Sequence, residues 1–98
     1  MEFEWDEDKN KANSIKHGVS FETAAHVFED PNYVLEKDRI DESGEQRWHA
    51  VGLTDDLPLI VVHVYRSKHN NDEEIIPIIS ARKACESASR RYFGQAFD

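Results

Sequence analysis

The chain has 98 residues, with 20 acids against 12 bases and a net charge of −8. That balance argues against a general polyanion binder, because non-specific nucleic-acid binding runs on phosphate neutralisation. The one cysteine, Cys85, excludes an intrachain disulfide and fits a reducing compartment, and no apolar run approaches the roughly 20 residues of a bilayer span, so the chain reads as soluble, cytoplasmic and without a membrane segment.

The length fits one domain, 1–98, with a modest core. Phe3 and Trp5 alternate with acids, which predicts a short strand or an extended start. Asp6 is a suitable N-cap, with Glu7 and Asp8 in the first turn, where acids favour the helix dipole. This helix is expected to run to about His17, with Gly18 as its C′ residue and a thin apolar stripe of Ala12 and Ile15. Ser20 caps a second helix, with Phe21, Ala24, Ala25 and Phe28 at helical spacing, and Asp30-Pro31 ends it. The two make a helical hairpin.

A short edge strand is expected at Tyr33 to Leu35, then an exposed charged loop from Glu36 to Glu45. Gln46 to Leu53 alternates as a strand, with Trp48 and Ala50 on one face and Arg47, His49, Val51 and Leu53 on the other. Thr54 to Leu57 is a turn. Pro58 to Arg66 is the most apolar run, and its β-branched content places it as a central strand. Alternation sets Leu59, Val61, His63 and Tyr65 on one of its faces, and Ile60, Val62, Val64 and Arg66 on the other. Ser67 to Asp72 reads as a hairpin turn containing His69. Glu73 to Ser80 is the next strand, which Pro77 moves toward an edge or a bulge. A last helix is expected from about Ala81, with Ala81, Ala84, Cys85, Ala88 and Tyr92 as its buried stripe and a frayed tail from Gly94. The sum is an α+β domain: an N-terminal helical hairpin, a small antiparallel sheet of three or four strands and a C-terminal helix.

Chemistry-bearing motifs are few. There is no G-x-G-x-x-G, P-loop or G-x-S-x-G, so neither a nucleotide cofactor nor a serine nucleophile is indicated. The five histidines show no close metal-ligand spacing, and no metal or other cofactor is expected. What remains is a set of cations and imidazoles on adjacent strands and helix ends: Arg47, His49, His63, Arg66, Arg82 and Lys83. Residues 82–91 also hold Arg90 and Arg91, with Glu86 as their only acid. Such groups suit RNA cleavage, where the 2′-hydroxyl is the nucleophile and the protein moves protons and stabilises phosphoryl charge.

Phe3-Glu4-Trp5-Asp6, then Lys16-His17-Gly18-Val19-Ser20-Phe21, then Ala24, Phe28 and Asp30-Pro31, then Gly44-Glu45-Gln46-Arg47, Gly52, Val61-Val62-His63-Val64-Tyr65-Arg66 and Ile78-Ile79-Ser80-Ala81-Arg82-Lys83-Ala84, in this order and spacing, together resemble a BrnT-type toxin. The resemblance covers Phe3 to Tyr92. It implies a RelE-like fold and a metal-independent endoribonuclease that inhibits translation as the toxin of a bacterial type II toxin–antitoxin pair. It also implies a BrnA-like antitoxin joined in a heterotetramer, RNA as substrate, on or off the ribosome, and DNA contacted only through the antitoxin. Carried onto this sequence, Arg66 and Arg47 would hold the scissile phosphate. Lys16 or His17 would be the base or a further phosphate contact. Arg82 or Lys83 would hold the RNA backbone, with Arg90 beside them, and Tyr92 would stack on a base or close the core. Two departures from the pattern, Pro77 and Ala88, motivate the alternative of a catalytically degenerate module that binds the antitoxin for operon control.

Overall fold

The computed structural model describes residues 1–67 and 73–95. The strands are β1 (Glu2–Glu4), β2 (Val34–Ile40), β3 (Gln46–Thr54), β4 (Leu57–His63), β5 (Arg66–Ser67) and β6 (Glu74–Lys83). The helices are α1 (Glu7–His17), α2 (Phe21–Ala25), a 3₁₀ turn (His26–Glu29) and α3 (Glu86–Gln95). They form one six-stranded sheet in the order β1-β6-β4-β3-β2, with β5 also on β6. The class is α+β as expected, but the sheet is larger and mixed, because β1 runs parallel to β6. Among the described residues, no helix is long and apolar enough to cross a membrane.

The expected caps form. The Asp6 carboxylate accepts from the N–H groups of Asp8 and Lys9, at 2.8 and 3.2 Å. Gly18 adopts φ +70° and donates its N–H to the Ser14 carbonyl, closing α1. Ser20 caps α2, which gives way to 3₁₀ geometry after five residues, so the helical hairpin is less regular than its apolar spacing predicted.

The buried face of α1 is polar. Ile15 is 88% exposed and Ala12 is also outside, while Asn10 and Asn13 face inward. Asn13 donates its amide to the Val19 and Ala81 carbonyls, both at 2.8 Å, and accepts the Ala81 N–H at 3.2 Å. The pairing of β1 with β6 stops at Glu4 and Pro77. Four residues further along β6, the Asn13 amide therefore takes the place of a neighbouring strand. Asn10 similarly accepts the Phe21 N–H at 2.8 Å and donates to Glu7 and Glu22.

Two cores result, one on each side of the sheet. Phe21, Ala24 and Val27 pack with Ala50, Leu59, Val61, Ile78 and Ala81 on one side. Ala84, Ala88 and Tyr92 pack on Val34, Val51, Leu53 and Ile60 on the other. Asp30 ties the two sides together. Its carboxylate accepts the Leu53 N–H at 2.8 Å, the Tyr92 hydroxyl at 2.5 Å and the Asn32 N–H at 2.9 Å. Burial raises the Asp30 pKa, but these bonds outweigh it and the carboxyl lies below its ordinary value. Burial and the bond to Asp30 push the Tyr92 hydroxyl up to about 12. A Cβ at Gly52 would sit 3.0 Å from Val27 Cγ1 and 3.1 Å from Tyr33 Cβ, so a side chain at this strand position would push its neighbours back by a few tenths of an ångström.

Three expectations need correction, and the alternatives at Pro77 are resolved. The charged stretch after Leu35 is strand to Ile40, because its side chains alternate between sheet and solvent, and only Asp41 to Glu45 form the loop. Pro77 lies in a strand with neighbours on both sides. Its missing N–H is tolerated where the β4–β6 register slips between Val62↔Ser80 and His63↔Ile78, so the bulge alternative applies and not the edge. Ala81 to Lys83 are strand, since they pair with Val61, Ile60 and Leu59, and α3 starts only at Glu86 and continues to Gln95. Cys85 therefore stands exposed just before α3 and is not on its buried stripe. The turn expected at Ser67 to Asp72 falls, beyond Ser67, outside the described residues, as does His69.

Candidate active site

Residues paired across strands present their side chains on the same face of a sheet. Arg82 pairs with Ile60 and Ile60 with Val51, both of which pack in the α3-side core. The next row is Glu36, His49, Val62 and Ser80. Alternation along β3 puts Arg47 on this face too. Arg66 pairs with Ile75, which lies opposite the face of its neighbour Ile76; Ile76 shares its row with Phe3 of the helical-hairpin core. Arg47, His49, Arg66 and Arg82 thus share one face. Helix α3 covers only the end of that face near Val51 and Ile60, and the row of His49, Val62 and Ser80 is half-buried and open.

His63 is on the other face, fully buried, with its ring edge-on to Phe28 at 4.9 Å and to Tyr65 at 5.0 Å. His63 and Arg66 stand on opposite faces as expected, but the single strand expected over Pro58 to Arg66 is broken, with β4 ending at His63 and β5 starting at Arg66, and His63 is separated from the arginines. Burial pushes His63 down to about 4, so it is a neutral core group.

The open face is charge-paired. The Arg66 guanidinium donates two bonds of 3.0 Å to Glu45 and lies 3.6 Å from Glu4. The Glu45 hydrogen bond raises the Arg66 pKa, and the Arg66 hydrogen bond lowers that of Glu45. Arg47 Nε is 3.4 Å from Asp41. The Asp41 carboxyl is held at about 2, first by the Ser43 hydroxyl. That carboxylate also accepts the Ser43 and Glu45 N–H groups, which shapes the loop and presents Glu45 to Arg66. His49 Nε2 is 3.0 Å from Asp38 Oδ2. Burial raises the Asp38 pKa, but the Arg39 N–H and His49 outweigh it and leave the carboxyl low. Arg91 of α3 meets Glu36 at 2.9 Å. Arg82 has no ion pair among the described residues. Arg66 is about half exposed (51%). An exposed pair of this kind is worth about 0–1 kcal/mol, which an incoming phosphate can match.

The other expected site residues lie elsewhere. Lys16 and His17 end α1 and line a shallow hollow with Lys9, Asn13, Ile79 and Ser80, so they border the open face at Ser80 without standing on it. Lys83 pairs with Leu59 and so points to the helical-hairpin side, exposed. Arg90 is outside on α3, paired with Glu86. Tyr92 is 5% exposed and closes the α3-side core, so of its two expected roles the packing one is observed and base stacking has no exposed ring to use. The acids Asp38, Asp41 and Glu45 did not figure in the sequence reading of the site. Their signal was the hairpin around Gly44-Glu45-Gln46-Arg47, which returns β3 along β2. No group of three His, Cys, Asp or Glu side chains suited to a metal is found among the described residues.

A face with three arginines and an imidazole, open at one end, can bind a phosphodiester and take a proton from a hydroxyl beside it. The family model described as "Ribonuclease toxin, BrnT, of type II toxin-antitoxin system" matches residues 5–87. No curated protein matches the chain.

Proposed function

The chain belongs to the BrnT family of ribonuclease toxins of type II toxin–antitoxin systems, and from that footing we propose that the open face of its sheet is where RNA is cleaved. The 2′-hydroxyl attacks the adjacent phosphate without a metal, and translation stops as messages are cut. Arg66 and Arg47 hold the scissile phosphate as planar, permanently charged forks. Arg82 contacts the chain beyond it. Lys16 or His17 reaches the substrate from the border at Ser80, and Lys83 and Arg90 guide the backbone from outside. The single observation that carries this reading is the common face of Arg47, Arg66 and Arg82.

Type II membership implies an antitoxin partner. We take it to be BrnA-like, in a heterotetramer that contacts DNA through the antitoxin. A second reading, a degenerate module that only binds the antitoxin, has one observation in its favour: Arg47 and Arg66 are both engaged by carboxylates.

Expression in a bacterial host separates the two. The wild-type chain is expected to arrest growth and Arg66→Ala to relieve the arrest, with about a hundredfold loss of activity, as for removal of one group that stabilises transition-state charge. Equal harmlessness of both proteins, with antitoxin binding intact, would end the catalytic reading.

A further inference from the structure

We infer that His49, oriented by Asp38, is the general base that takes the 2′-hydroxyl proton, an inference that rests on the ribonuclease reading above. Asp38 Oδ2 lies 3.0 Å from His49 Nε2. A carboxylate at that nitrogen accepts its proton, so the ring presents Nδ1 with a free lone pair. Nδ1 has no hydrogen-bond partner among the described residues. The side chains of His49 and Asp38 are 25% and 30% exposed, enough to reach substrate and enclosed enough to hold one orientation.

The neighbours fit the task. Arg47 stands two residues before His49 on the same strand face, about 6.6 Å away along the strand. Arg82 stands two strands across and one row over, roughly 12 Å away from strand spacing and rise. With the scissile phosphate on Arg47 and Arg66 and the chain running on to Arg82, the nucleotide joined to that phosphate through its 3′-oxygen lies over the His49 row, with its 2′-oxygen toward the ring. Lys16 and His17 reach that row only from its border at Ser80.

The step balances as follows. The 2′-O–H proton moves to His49 Nδ1 as the 2′-oxygen forms its bond to phosphorus. The bond from phosphorus to the 5′-oxygen breaks, and that oxygen takes a proton from water. The products are a 2′,3′-cyclic phosphate and a 5′-hydroxyl. The imidazolium then releases its proton to the hydroxide left behind. Asp38 is a positioning residue here. The charged and titratable groups around His49 are Asp38 and Glu36 on β2, Arg47 on β3, Arg82 on β6, and Arg91 of α3, which Glu36 holds. His63 lies beyond the sheet on the opposite face.

The test is cleavage of a long single-stranded RNA across pH 5 to 9 by wild type, His49→Ala, His49→Gln, Asp38→Asn and Arg66→Ala, each checked for a wild-type melting curve. His49→Ala and His49→Gln are expected to lose at least a hundredfold, in the range of general-base contributions. Added imidazole restores part of the His49→Ala rate. Asp38→Asn is expected to lose about tenfold in kcat with KM unchanged, because the ring is no longer held with Nδ1 toward the substrate. Arg66→Ala loses rate, and added imidazole restores none of it. If the His49 variants cleave within threefold of wild type while Arg66→Ala is impaired, the base assignment is overturned and the ribonuclease reading stands. If wild type itself leaves RNA intact, the ribonuclease reading fails and the base assignment falls with it.

Discussion

Asn13→Ala is expected to destabilise the protein by about 3 kcal/mol, since each buried polar group left without a partner costs roughly 1–3 kcal/mol. The substitution removes both bonds to the Ala81 peptide and one to the Val19 carbonyl. The Val19 carbonyl keeps a long contact with the Ser14 hydroxyl at 3.5 Å, so most of the loss falls on Ala81. Ala81 is 1% exposed, and water does not readily replace the amide there. Alanine is the better helix former by about 0.6 kcal/mol, an offset too small to reverse the sign. Domains of this size have only about 5–15 kcal/mol in hand, so the urea midpoint should fall markedly. Lys11→Ala, on the wet side of α1, should change stability by less than about 0.5 kcal/mol. A midpoint for Asn13→Ala equal to that of wild type would show that the α1–β6 junction does not depend on this side chain.

Stability should also fall as pH drops from about 6.5 toward 4, and His63 is the main cause. Its ring is 0% exposed, with Nδ1 3.1 Å from the Val61 carbonyl and Nε2 buried without a partner among the described residues. The folded-state pKa is pushed down to about 4 from the ordinary 6.5. Between those two values the unfolded chain binds the proton and the folded chain does not. Stability is therefore full above about pH 6.5 and declines as pH falls to about 4, by about 3 kcal/mol in all. His63→Phe keeps the ring packing against Phe28 and Tyr65 and removes the titrating group. Its unfolding free energy should be nearly flat over that interval. A slope in His63→Phe as steep as in wild type would assign the dependence to other groups. Asp41, held at about 2, titrates below this window.

The parts of the fold that were legible from sequence are those governed by local chemistry. Asp6, Gly18 and Ser20 act where capping rules put them, and the two faces of Pro58 to His63 follow from strand alternation. The illegible parts depend on what lies alongside. An asparagine facing inward looks like a solvent residue until a neighbouring strand stops short and leaves backbone groups to satisfy. Ala81 to Lys83 have helix-forming side chains, but pairing with β4 outweighs that local preference. The charged run of β2 reads as loop by composition, because an edge strand carries polar groups on its open side. For the site, the sequence supplied Arg47, Arg66 and Arg82 through the resemblance and left their relation open. Register brings them onto one face, and the hairpin at Gly44 sets Asp41 and Glu45 beside Arg47 and Arg66.

The most direct measurement is cleavage of a long single-stranded RNA in EDTA by purified wild type beside Arg47→Ala, Arg66→Ala, Arg82→Ala and Lys11→Ala. The account predicts cutting by wild type and Lys11→Ala alike, with losses confined to the three arginine variants. Full activity in all three arginine variants would contradict it, because the open face of the sheet would then not be where RNA is cut.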